Sequence, residues 1–132
     1  MDNLFTSFPL LYKMSSMGIA GTGTLRQNRL NKIPIKSKKE MESKKVKRGE
    51  SFSVYRDDQL CVSWKDNKAV YMATNKYNQG ENFTAIRYSR EEKKRIEISV
   101  PDAVKQYNQS MGGVDLLDGA VSLYRPRYRK KK

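Results

Sequence analysis

Residues 51–75, SFSVYRDDQLCVSWKDNKAVYMATN, decide the fold class of this chain. SFSVY alternates apolar and polar residues, RDD supplies a turn, LCVSW alternates again, KDNK turns, and AVYMAT closes the set. This pattern predicts a three-stranded antiparallel meander. Side chains two apart share a face, so Leu60, Val62 and Trp64 line one side, where Val70 and Met72 can join them. Asp57, Asp58 and Asp66 fall in the turns and read as turn formers before they read as ligands.

Upstream, residues 25–49 hold ten Lys or Arg and two acids. They read as a basic, mostly unpatterned linker, with one or two helical turns in KKEMESKKVK. Residues 4–17 predict a helix capped by Ser7, with Pro9 in the first turn and Gly18 as the stop. GIAGTGTLR then reads as a strand running into a loop. Its glycines match neither a dinucleotide fingerprint nor a P-loop. Downstream, NKYNQGENFTAIRYSREEKKR reads as a polar loop with a frayed strand at FTAIRYS, and RIEIS as a short strand. Pro101 opens a helix, with Ser99 or Asp102 near its cap. Val104, Tyr107, Met111, Val114, Leu117 and Val121 form its apolar stripe. Gly112 and Gly113 cost such a helix about 1 kcal/mol each relative to Ala.

The chain has 132 residues, the length of one domain, and 27 Lys and Arg against 14 Asp and Glu, a net charge of +13. That excess favours a polyanionic partner, nucleic acid first. The cations cluster at Arg26, Arg29, Lys44, Lys45, Lys47 and Arg48, and again at Arg125, Arg127, Arg129 and Lys130. With no histidine and Cys61 as the single cysteine, intrachain disulfides, zinc fingers and imidazole bases are excluded. The first residues make a poor signal peptide, because Pro9 and Lys13 break the apolar run. No stretch is long enough to span a membrane. The NFT sequon at residues 82–84 carries no weight without secretion.

The segment YNQSMGGVDLLD, residues 107–118, places Asp115 and Asp118 three apart, within reach of one cation on a helix. Paired carboxylates are unfavourable unless neutralised, and hard oxygen donors suit Mg²⁺ or Mn²⁺. Beside DNA, such ions serve hydrolysis and transfer of phosphodiesters.

The run from Pro101 to Asp118 resembles the signature of the piggyBac-type transposases and their domesticated descendants. DNLFTSFPLL at residues 2–11, GTGTLRQNR at 21–29 and SWKDNKAVYMAT at 63–74 resemble it too, in the family's order, so the likeness covers nearly the whole chain. It implies an α/β fold: an incomplete RNase H-like (DDE/DDD) catalytic domain with a β-rich insertion. Residues 1–30 would be partial core, 31–100 basic linker and insertion, and 101–132 the helix with the GGVD motif and a basic tail. By the same resemblance Asp2 is the second catalytic acid, Asp115 the third, and Asp118 assists, all three holding Mg²⁺ or Mn²⁺; Asn3 belongs to the first motif. The family's first catalytic aspartate lies upstream of the DN block. The chain is therefore expected to be a fragment whose complete parent cuts and rejoins DNA in the nucleus, and to be inactive by itself. The resemblance leaves room for a homodimer of that parent. The alternative is a non-catalytic domesticated DNA-binding protein using the basic clusters.

Overall fold

A computed structural model describes residues 3–30, 32–76 and 80–124; within the last helix it leaves out the side chains of residues 112–115, 117, 118 and 124. The expectations for Asp2 and for the basic tail, residues 125–132, lie outside the described residues.

The meander forms as its alternation requires. β2 (Ser51–Arg56), β3 (Gln59–Lys65) and β4 (Ala69–Thr74) pair antiparallel, with Val54 opposite Cys61 and Val62 opposite Met72. Asp57 turns the first hairpin at φ 53°, a left-handed conformation that aspartate tolerates better than most residues. β1 (Thr22–Thr24) adds to the far side of β4, Gly23 opposite Ala73, giving the order β1-β4-β3-β2. The sheet thus draws strands from both sides of the boundary expected at residue 30.

Six of the seven β3 residues are buried, so both faces of this strand are covered. On one face Cys61, Tyr71 and Ala73 pack with Leu11, Leu25, Leu30, Met41 and Val46. Leu11 comes from α1 (Phe8–Ser16), shorter than the 4–17 expected because Ser7 caps it: Ser7 Oγ accepts from the Leu10 amide, and Pro9 sits in the first turn. Met41 comes from α2 (Lys38–Met41), one turn closed by a Ser37–Glu40 capping box. The remaining apolar residues come from the stretch read as an unpatterned linker. It is instead an anchored cover, because its few apolar residues reach the sheet. Lys65 Nζ donates to the Ser43 and Val46 carbonyls at 2.9 and 2.6 Å, and Tyr71 Oη donates to the Lys36 carbonyl at 2.8 Å.

On the other face, Trp64 and Met72 pack with Ile98, Val100 and Val104, while Ala103 sits with Leu60 and Val62. Ile98 and Val100 lie on β6 (Lys94–Val100), which pairs along its whole length with β5 (Phe83–Ser89). The frayed strand expected at FTAIRYS is therefore a full seven-residue partner, since cross-strand pairing holds what its own polar sequence does not. The Trp64 indole donates to the Ser99 carbonyl at 2.8 Å, fixing hairpin to sheet. Gly49 makes the same junction close: at φ 95°, an added Cβ would lie 3.0 Å from the Ser99 amide nitrogen and 3.3 Å from Ile98 Cβ.

α3 (Asp102–Tyr124) begins after Pro101 and runs through Gly112 and Gly113 without a break. Its first turns pack by Ala103 and Val104, and its later described residues Leu116, Val121 and Leu123 are exposed. No helix among the described residues is long and apolar enough to cross a membrane.

Gly49→Ala should destabilise the fold by about 2 kcal/mol, combining left-handed strain with the clash against Ser99. A lower urea midpoint at unchanged m-value checks this. Burial pushes the Cys61 thiol up to about 12, so it should resist thiol reagents until the chain unfolds. The unfolded thiol ionises near its ordinary 9.0, so the unfolded state binds fewer protons above that pH. Stability should then fall by about 1.4 kcal/mol per pH unit from this one group between those limits. Cys61→Ala should flatten that decline in denaturation measured from pH 8.5 to 10.

Candidate functional site

The N-terminal motif is tied down by the basic residues that follow β1. Arg29 Nη1 donates to the Thr6 carbonyl and Nη2 to the Leu4 carbonyl, the latter at 2.8 Å, while Arg26 Nε donates to Asn3 Oδ1 at 3.4 Å. Residues 23 to 25 apart in sequence, in the blocks DNLFTS and GTGTLRQNR, are thus adjacent. Asn75 locks the same corner. Its Oδ1 accepts from the Gly21 amide at 2.6 Å, and its Nδ2 donates to the Leu11 and Ile19 carbonyls at 3.2 and 3.0 Å. The segment preceding α1 is therefore held by side-chain bonds rather than by its own secondary structure.

Asp115 and Asp118 lie on α3, one turn apart on an unbroken helix. At the other end of that helix, Val104 fixes it against Trp64 and Met72. Among the described residues there is no group of three His, Cys, Asp or Glu that could hold a metal ion. Asp57 and Asp58 form the β2–β3 turn. Asp66 serves in an ion-pair cluster: its Oδ1 accepts from Arg48 Nε and Nη2 at 2.9 and 2.7 Å, and its Oδ2 lies 3.5 Å from Arg87 Nε.

The basic clusters divide by what they touch. Arg48, 19% exposed, also donates to the Tyr88 carbonyl at 3.0 Å, so its guanidinium bridges the sheet and the β5–β6 hairpin. Arg29 is likewise engaged with backbone carbonyls. Lys44, Lys45 and Lys47 are exposed, and they flank the buried Val46 on a loop that Lys65 anchors. Arg26 is exposed as well. The structure thus gathers Lys44, Lys45 and Lys47 on one anchored loop, and places Arg26 and Arg29 beside the N-terminal segment.

Sequence reading puts Lys105 opposite the apolar stripe of the last helix without giving it a binding role, and passes over Arg87; the two line one groove between β5 and α3. The available signal was the alternation of Phe83, Ala85 and Arg87 on one side of β5. Nothing in the sequence placed α3 alongside it.

Comparison with known proteins gives this arrangement a family. A family model described as "Transposase IS4" matches residues 1–132. The chain is 39% identical to the human PiggyBac transposable element-derived protein 3, over 99% of its own length and 22% of that protein's. To the human PiggyBac transposable element-derived protein 2 it is 31% identical, again over 99% of this chain and 22% of the relative. Its fold matches a piggyBac transposase solved by cryo-electron microscopy as a synaptic complex with hairpin DNA. That match has a TM-score of 0.66 and 25% identity, and covers 100% of this chain and 25% of the transposase. The chain spans about a fifth of the length of the curated relatives it matches. It belongs, by a match over every one of its residues, to the piggyBac-type transposase family.

Proposed function

We propose that this chain is part of an RNase H-like transposase catalytic domain and brings carboxylates and basic surface to a DNA phosphodiester. The observation that carries the reading is the unbroken α3, which holds Asp115 and Asp118 one turn apart within a chain that matches the family from end to end. Residues 31–100 serve as the β-rich insertion together with the basic stretch that covers one of its faces, and β1 joins the core segment to that insertion.

The donor set fits a hard divalent cation. Asp115 and Asp118 offer oxygen ligands of the kind Mg²⁺ and Mn²⁺ prefer, and Asp2 is the family's further ligand. Bound there, the ion would polarise a phosphodiester oxygen and lower the pKa of a bound water. The chain's own residues do the positioning. Arg26 and Arg29 hold the segment that follows Asp2 through Asn3, Leu4 and Thr6. Ala103 and Val104 hold the root of α3 on the sheet. Lys44, Lys45 and Lys47 attract the DNA backbone, and the work is nuclear. Tested by itself, the chain should bind metal weakly and leave DNA uncut.

A second reading, DNA binding without catalysis, draws support from the same lysines, because their exposure on an anchored loop requires no metal. The two readings part on the carboxylates.

Titration of Mn²⁺ into the chain should give weak binding that Asp115→Asn with Asp118→Asn abolishes; retention of binding in the double variant would overturn the metal reading. Reversing Lys44, Lys45 and Lys47 to Glu should weaken duplex binding by about tenfold or more. The slope of log K against log salt should become shallower by roughly 0.9 per lost phosphate contact. Fluorescence anisotropy at several salt concentrations measures both, and an unchanged slope would remove the basic loop from the interface.

A further inference from the structure

An open groove of 360 Å³ runs between β5 and the first turns of α3. Phe83 and Val100 lie on its apolar side, and Arg87, Lys105, Asn108 and Gln109 supply its polar rim; none of its described lining residues is acidic. The Lys105 ammonium stands 3.3 Å from the centroid of the Phe83 ring, so a cation–π contact holds it at the groove. Arg87 is oriented too, with Nε 3.5 Å from Asp66 Oδ2 and Nη1 donating to the Ile86 carbonyl. Two positioned cations beside two side-chain amides, with no carboxylate on the lining, complement an anion that also offers hydrogen-bond groups. The volume is that of a small-ligand cleft, on the scale of a nucleotide rather than of a duplex.

The helix gives the groove a direction. Asn108 on its rim and Asp115 are seven residues apart, two turns along the same side of α3, or about 10 Å. Asp118 follows one turn later. A strand lying against Lys105 and Asn108 therefore runs along the helix that carries Asp115 and Asp118.

We propose that this groove seats the sugar–phosphate backbone of a single DNA strand and leads it along α3 toward Asp115 and Asp118. Lys105 and Arg87 meet phosphate oxygens, and Asn108 and Gln109 hydrogen-bond the sugar or base edges. The inference rests on the nucleic-acid reading above and adds to it which strand state is held, and where.

The test uses the 132-residue chain and a fluorescein-labelled oligothymidylate. Lys105→Glu should weaken single-strand binding about tenfold and reduce the salt slope by about 0.7, the share of one phosphate on a single strand. Lys105→Arg should retain both. A photocrosslinker attached at Gln109→Cys, with the buried Cys61 silent, should capture the strand, whereas the same label at Asp58→Cys should not. Unchanged affinity in Lys105→Glu, or equal capture from both labels, overturns the groove while leaving binding through Lys44, Lys45 and Lys47 intact. If the unaltered chain binds neither strand nor duplex, the nucleic-acid reading falls and the groove with it.

Discussion

Everything in this chain is arranged around a strand that needs cover on both faces. β3 presents Leu60, Val62 and Trp64 to one side and Cys61 and Ser63 to the other, and all are buried. A four-stranded sheet with one wet face could leave half of those positions polar. Here each face requires its own layer, and the chain supplies the layers from opposite ends. α1, α2 and the basic stretch cover one side, and the β5–β6 hairpin with the root of α3 covers the other. Burying apolar area at roughly 25 cal/mol per Å² is what makes so charged a sequence fold, and the buried Trp64 ring is part of that area.

What the sequence disclosed follows from where the ordering forces lie. The meander was legible because its alternation, its aspartate-bearing turns and its pairing are all local. The start of α1 was legible because Ser7 and Pro9 act within one turn. The role of residues 25–49 was not, since Leu25, Leu30, Met41 and Val46 follow no helical or strand period. They are buried by a surface made elsewhere in the chain. β5 was read as frayed for a similar reason: its partner β6 fixes it, and Thr84, Ile86 and Tyr88 face outward and blur its pattern. The positions of Asp115 and Asp118 on a helix were legible from the stripe starting at Val104. What lies beside that helix was not, because the groove forms only when the hairpin docks through Trp64 and Ser99.

Net charge alone would assign every Lys and Arg to a partner, and the structure divides them. Lys65, Arg29 and Arg48 satisfy backbone carbonyls and the Asp66 carboxylate, groups that would otherwise lose hydrogen bonds on burial. Among the cations left outward, Lys44, Lys45 and Lys47 are held on a loop whose backbone is already fixed. A preorganised cation loses less entropy on meeting phosphate than one on a free linker.

The clasp at Asn75 also sets the order in which the molecule comes together. β2, β3 and β4 meet through turns of two or three residues, whereas joining Thr22 to Thr74 closes a span of about fifty residues and forfeits far more chain entropy. The meander is thus expected to assemble early and the β1–β4 seam late. Asn75, one residue beyond β4, gathers Gly21, Leu11 and Ile19 only once that seam has closed. The N-terminal arm, residues 3–7 included, is in consequence tied to the seam expected to close last, so opening that seam would free the arm while leaving the meander paired.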